Sequence, residues 1–160
     1  MEATLTPEAE NFIREWNGPL PYVIARTSGS TGTPKEIRLL KSDMCASARA
    51  TIEFFGLDSN SRLHLPLSPD YIAGKMQIVR ALEAGAVLSV EPPSNRPLGA
   101  SVMKGNDRIS LLPVVPSQVP GLLESGLAGR IDNLIIGGAP LSETDEQRII
   151  DSGIRAFATY

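Results

Sequence analysis

Nine consecutive residues, Thr27-Ser28-Gly29-Ser30-Thr31-Gly32-Thr33-Pro34-Lys35, gather hydroxyl side chains, two glycines and a terminal lysine into one turn-forming run. Glycine lets a backbone approach a bulky anion and take positive φ angles without a Cβ clash. Peptide N–H groups and Ser/Thr hydroxyls can donate to phosphate oxygens, and Lys35 adds a full positive charge. The chemistry that these residue types support at this spacing is capture of the phosphate chain of a nucleoside triphosphate.

The spacing also says which phosphate loops this is not. A Walker A loop needs four residues between its glycines and then Gly-Lys, whereas Gly29 and Gly32 are two residues apart and Pro34 precedes Lys35. A dinucleotide fingerprint lacks its third glycine and its following helix. Pro34 biases Thr33 toward extended geometry, and Glu36-Ile37-Arg38-Leu39-Leu40 has the pattern of a strand. The loop is therefore expected between two strands, as a hairpin-like cover. The bland alternative, an ordinary Ser/Gly linker, fits poorly because linkers rarely end in Pro-Lys and run into strands on both sides.

A second candidate is Gly137-Gly138-Ala139-Pro140, which follows the apolar run Leu134-Ile135-Ile136 and precedes Ser142-Glu143-Thr144-Asp145, a capped helix start. Such a turn lies at the carboxyl edge of a parallel strand, where α/β proteins place ligands. Small residues there let a flat purine lie on bare backbone. A plain strand-to-helix connection is the other reading.

The elements that must position these residues alternate along the chain. Thr6-Pro7-Glu8 starts a helix whose apolar face carries Phe12, Ile13 and Trp16, and Asn17-Gly18-Pro19 ends it. Residues 22–25 form a strand that feeds the phosphate loop. Helical spacing of Met44, Ala48, Ile52 and Phe55 predicts a helix from 42 to 55, stopped by Gly56. Strand 62–65, helix 71–83, stopped by Gly85, and strand 86–90 follow. Residues 92–97 are the main loop, within one domain. Then come strand 108–112, a helix over 117–124, strand 134–136, a helix ending at Gly153 and strand 154–158. Strands separated by helices imply parallel crossovers, hence an α/β fold with a layered, mostly parallel sheet flanked by helices. The phosphate-loop strands form an antiparallel element beside it.

Composition bounds the function classes. Among 160 residues, 42% are hydrophobic and 21% charged, as in an ordinary globular protein. A net charge of −3 and no basic tract argue against a nucleic-acid surface. No apolar run approaches membrane-spanning length, and Glu2, Glu8 and Glu10 are unlike a secretory signal. The single cysteine, Cys45, has no internal partner and falls in a helical pattern, where a buried structural thiol is expected. A reducing cytoplasm fits these features.

With these residues in view, the chain resembles the adenylate-forming enzymes: acyl-CoA ligases, luciferase and peptide-synthetase adenylation domains. Their phosphate loop, Ser/Thr-Ser-Gly-Ser/Thr-Thr-Gly-x-Pro-Lys, is matched at every specified position by residues 27–35. Residues 134–142 look like the family's adenine-side strand and turn, and Ala158-Thr159-Tyr160 looks like the start of its aromatic-Gly-x-Thr-Glu motif. The Gly-Gly-Ala-Pro-Leu wording is most similar to the o-succinylbenzoate–CoA ligases of menaquinone synthesis. The resemblance implies ATP and Mg²⁺ as cofactors, coenzyme A as co-substrate and a small carboxylic acid as substrate. It implies that residues 27–35 close over the triphosphate, with Lys35 stabilising charge on departing pyrophosphate, and that Tyr160 stacks on adenine.

Relatives carry Pro-Leu-x-His-x-x-Gly before the substrate helix; this chain has Pro66-Leu67-Ser68-Pro69-Asp70-Tyr71-Ile72-Ala73-Gly74-Lys75. One residue is extra, and with Gly74 as anchor Tyr71 stands where the histidine would be. His64, the one histidine, is expected to be a packed polar residue. Lys75 could pair with a second carboxylate of a diacid, although a lysine on an amphipathic helix more often faces solvent. The family's Mg²⁺ glutamate, ribose aspartate and C-terminal-domain lysine lie beyond Tyr160. The expectation is therefore a partial N-terminal adenylation domain, with no metal ligands of its own, inactive without the remainder of its polypeptide. Activation of another aryl, fatty or amino acid, a non-catalytic ATP-binding module, and a structural α/β domain remain the alternatives.

Overall fold

The computed structural model describes residues 3–27, 32–99 and 102–159. Helix α1 (Pro7–Asn17) starts at Thr6, whose hydroxyl accepts from the Ala9 amide at 3.3 Å. Strands β1 (Tyr22–Arg26) and β2 (Glu36–Leu40) pair antiparallel, with Arg26 opposite Glu36, so the ribbon expected on either side of residues 27–35 is present. Helix α2 (Lys41–Phe55), strand β3 (Arg62–Leu65), helix α3 (Ile72–Ala84) and strand β4 (Val87–Val90) follow. The second half contains β5 (Leu112–Val114), α4 (Val119–Glu124), β6 (Leu134–Ile136), α5 (Glu143–Ser152) and β7 (Ala156–Ala158).

β3 pairs parallel with β4, and β5, β6 and β7 pair parallel in that order. A bridge between Leu63 and Leu111 joins the two pieces, with the Ser110 amide donating to Arg62 O at 2.8 Å. The result is one parallel array, β4-β3-β5-β6-β7, as the alternation of strand and helix patterns implied.

Apolar residues divide between its faces according to the pleat. Leu63, Leu65, Leu88, Val90 and Leu111 pack with α1, α2 and α3, while Leu112, Val114, Leu134 and Ile136 pack with α4 and α5. Neighbours Leu111 and Leu112 therefore belong to different cores. β3, β4 and β5 are buried along nearly their whole length, the mark of a sheet covered on both sides.

Three expectations shift. The strand placed over 108–112 begins regular pairing at Leu112, because Ile109 and Leu111 make only single bridges. The helix expected over 117–124 opens as a 3₁₀ turn, Pro116–Gln118, since Pro120 supplies no amide and suits only the first turn of the α-helix that follows. The last strand is shorter than 154–158, because Ile154 turns into the α5 core. Cys45 is half-buried, its thiol donating to Glu83 at 3.5 Å. Among the described residues, no helix is long and apolar enough to cross a membrane.

Candidate functional site

The carboxyl ends of β1, β3, β4, β5 and β6 and the first turn of α3 surround one cavity of about 820 Å³. Parallel strands end together on one edge of a sheet, so their following loops converge there without any contact in sequence.

The ribbon supplies the first wall. The Thr27 amide donates to Lys35 O at 2.9 Å; the Thr27 hydroxyl donates to the same oxygen and accepts from the Lys35 amide, both at 3.3 Å. These bonds close the loop at its base. Gly32 has φ 85°, and Thr33 and Lys35 are exposed. Ser28, Gly29, Ser30 and Thr31 lie outside the described residues. Thr27 and its neighbour Arg26 line the cavity.

The second wall is tied to the first through backbone. The Arg26 amide donates to Asp70 O at 3.0 Å, and Arg26 bridges Tyr71 in parallel. Tyr71 and Gly74 both line the cavity. A Cβ on Gly74 would stand 2.1 Å from Ser68 O, so only glycine lets α3 start so close to the preceding loop. Lys75 is absent from that lining and is not solvent-facing either. It is buried, with its ammonium 4.3 Å from the centre of the Phe12 ring, a cation–π contact that draws it toward α1. Burial pushes the Lys75 ammonium below the ordinary lysine value; Glu15 and Asp70 oppose the shift, and Arg26 adds to it. Solvent exposure failed as an expectation because α1 folds over this face of α3.

The third wall follows β6. Gly138, with φ 89°, and Ala139 line the cavity. They also border a second cavity of about 610 Å³, with Pro140, Leu141 and Thr159 on the α5 side. Gly137 lines neither cavity. Its amide donates to Val114 O at 3.1 Å, and a Cβ there would meet the Thr159 hydroxyl at 2.4 Å, so its smallness serves strand packing. Tyr160 lies outside the described residues. Ser142 caps α5, accepting from the Asp145 amide at 3.1 Å.

Sequence reasoning missed Arg26, the wall at Pro93, Ser94 and Asn95, and Gln118. Gln118 lies buried between the loops, its amide nitrogen donating to Pro66 O and Ser94 O, both at 2.9 Å, while its oxygen accepts from the Val115 amide at 3.1 Å. The signal that could have found them is position: each lies at, or within a few residues of, the end of a predicted strand. Arg26 is the one formally charged side chain among the described lining residues, so the cavity favours anions. Also among the described residues, no group of three His, Cys, Asp or Glu is placed to hold a metal ion. His64 is a packed polar residue, fully buried.

A profile of the AMP-binding enzyme family matches residues 8–160. Nonribosomal peptide synthetase 13 of Aspergillus fumigatus is 33% identical over 139 residues, covering 86% of this chain and 6% of its own length. The β-alanine-activating enzyme of Mus musculus is 26% identical over 155 residues, covering 95% of this chain and 13% of its own. The crystal structure of an acyl-CoA synthetase (AMP-forming)/AMP-acid ligase II-like protein from Dyadobacter fermentans superposes with a TM-score of 0.86 at 30% identity, over 100% of this chain and 47% of that one. O-succinylbenzoate coenzyme A synthetase of Bacillus subtilis, solved with ATP and magnesium, shares the fold: TM-score 0.71, 19% identity, 83% of this chain and 28% of that one. The chain thus spans well under two thirds of each of these relatives.

Proposed function

Because the chain belongs to the AMP-binding enzyme family, we propose that residues 1–160 form the first part of an adenylation domain in an ATP-dependent acid–CoA ligase. The observation that carries this reading is the single cavity onto which three separately readable motifs open: the phosphate-loop base at Thr27, the turn at Gly138 and Ala139, and the substrate-side pair Tyr71 and Gly74. In the proposed reaction the acid's carboxylate attacks the α-phosphorus of ATP and pyrophosphate leaves. Coenzyme A thiol then displaces AMP to give the thioester. Residues 27–33 and Lys35 hold the phosphate chain, residues 138–140 and Tyr160 take the adenine, and Tyr71 and Gly74 border the acid. The protein's work is to position two anions that repel each other and to neutralise the charge between them.

The described lining offers donors and one cation, which fits a phosphate chain and an acid, but no carboxylate, which does not fit a Mg²⁺ ion. The metal is expected on residues elsewhere in the polypeptide. The apolar walls at Leu67, Ile72, Val115 and Pro116 favour an aryl or acyl acid, and o-succinylbenzoate is the first acid to try. The identity to peptide synthetases supports a second reading, activation of an amino acid. A described lining without a carboxylate to meet an ammonium group speaks against it.

Acid-dependent exchange of labelled pyrophosphate into ATP by the complete polypeptide tests the proposal, run with o-succinylbenzoate, other aryl and fatty acids, and free amino acids. Exchange with an aryl or fatty acid supports the ligase reading, exchange with amino acids alone replaces it by the second, and no exchange with any acid defeats both.

A further inference from the structure

The cavity wall made by Pro93, Ser94 and Asn95 belongs to an excursion that leaves β4 at Glu91 and returns at Leu98. Three prolines, Pro92, Pro93 and Pro97, stiffen it. Its ends are held by one side chain. The Glu91 carboxylate accepts from the Leu98 amide at 2.7 Å and from the Gly99 amide at 3.2 Å, while the Glu91 amide donates to Leu65 O at 3.1 Å. Leu98 has φ 66°, the one positive value among described non-glycine residues, and its side chain is buried in the α4–α5 core. A leucine stays in that conformation only where its surroundings over-determine it.

Behind the carboxylate stands His64. The ring is fully buried, its Nδ1 is 2.6 Å from the Ser89 hydroxyl and its Nε2 is 3.3 Å from Glu91 Oε1. His64 Nε2 approaches the same oxygen that accepts from the Leu98 amide, and the other oxygen accepts from the Gly99 amide. Burial alone would push the Glu91 carboxyl up; the His64 ring and the two amides outweigh it and hold it below the ordinary glutamate value.

We infer that Glu91, backed by His64, is a positioning residue that sets the wall at 93–95 and so the shape of the acid-binding side of the cavity. This deepens the adenylation reading and rests on it. The excursion meets the rest of the fold through Ser94 O on Gln118 and through Asn95 O, so tight against Gly121 that a Cβ there would lie at 2.2 Å. A stiff segment held at both ends in this way moves as a unit when one end is released. The wall is tied to Gln118 through Ser94 O, whereas Thr27 is tied to Lys35, so the effect is expected on the acid rather than the nucleotide.

The test combines Glu91→Gln with His64→Gln. Glu91→Gln is nearly isosteric and keeps one acceptor, so it stays informative where the buried His64 variant fails to fold. In the complete polypeptide, KM for the preferred acid should rise about tenfold in Glu91→Gln, the size expected for weakening charge-assisted hydrogen bonds, with KM for ATP unchanged. In the 160-residue chain, amide hydrogen exchange at Ser94, Asn95, Arg96, Leu98 and Gly99 should accelerate while amides of α1 and α2 keep their rates. Unchanged exchange at Leu98 and Gly99 overturns the anchoring. Faster exchange with an unaltered acid KM, or a KM for ATP that rises equally, overturns the positioning role. Should the wild-type polypeptide activate no acid, the adenylation reading falls, and amide exchange alone decides whether Glu91 holds the wall.

Discussion

The antiparallel ribbon β1–β2 and the parallel sheet meet at one cavity but are held by different means. β2 has no buried residue and β1 buries only Val23 and Ala25, so the ribbon is shaped by its own backbone ladder and by the Thr27–Lys35 closure. In β5 every residue is buried, and in β3 and β4 three of four, so the sheet is held by apolar contact on both faces. Groups that would bind charge sit on the element with least to lose if altered. Groups that set the cavity's shape sit where any change disturbs a core.

That contrast predicts a gradient of effects, steepest on the sheet side. Gly74→Ala drives a Cβ into Ser68 O, and an urea melt should show a loss of about 3 kcal/mol or more. An alanine variant with wild-type stability would mean that the approach of α3 to its loop is not as close as described. Gln118→Ala should cost roughly 2–3 kcal/mol, because Pro66 O, Ser94 O and the Val115 amide lose their partner in a buried place. Calorimetry on the same variant should find the cavity's ligands weakened as well.

On the ribbon side the order reverses, with function lost and fold kept. Lys35→Ala should weaken ATP binding about tenfold, as loss of one charge-assisted contact to phosphate does, while the melting temperature stays at the wild-type value because the side chain is exposed. A large drop in melting temperature would erase the distinction between the two regions. Among the described residues, Gly32→Ala meets no neighbouring atom within 4 Å yet must hold φ 85°, so its cost should be only about 1 kcal/mol. The smallest effect is a pH dependence. Glu91 has a folded value below the ordinary 4.5, so its stabilisation is complete above 4.5 and fades as pH falls through the lower folded value. The stability gap between wild type and Glu91→Gln should narrow accordingly in acid melts.

Residues 27–35 could be read as a candidate phosphate loop because such a loop is a local object: its glycines, hydroxyls and lysine fall in one run of chain. Gly138 and Ala139 stood out as a candidate turn for a similar reason, lying between an apolar strand and a helix cap. Lys75 was misjudged since nothing in its own helix says that Phe12, 63 residues earlier in the chain, lies over it. Leu111 and Leu112 look alike in sequence, yet the pleat sends them to opposite cores. Gln118 gave no signal beyond its place after a strand, because its three partners belong to three separate loops.

By itself the order of residues determined the alternation of strands and helices and the antiparallel ribbon, and it suggested the phosphate-loop chemistry proposed above, since each depends on neighbours a few positions apart. Only the folded chain decided the cavity. Its walls come from strand ends far apart in sequence, and they meet because parallel pairing brings those ends to one edge of the sheet and burial on both faces keeps them there.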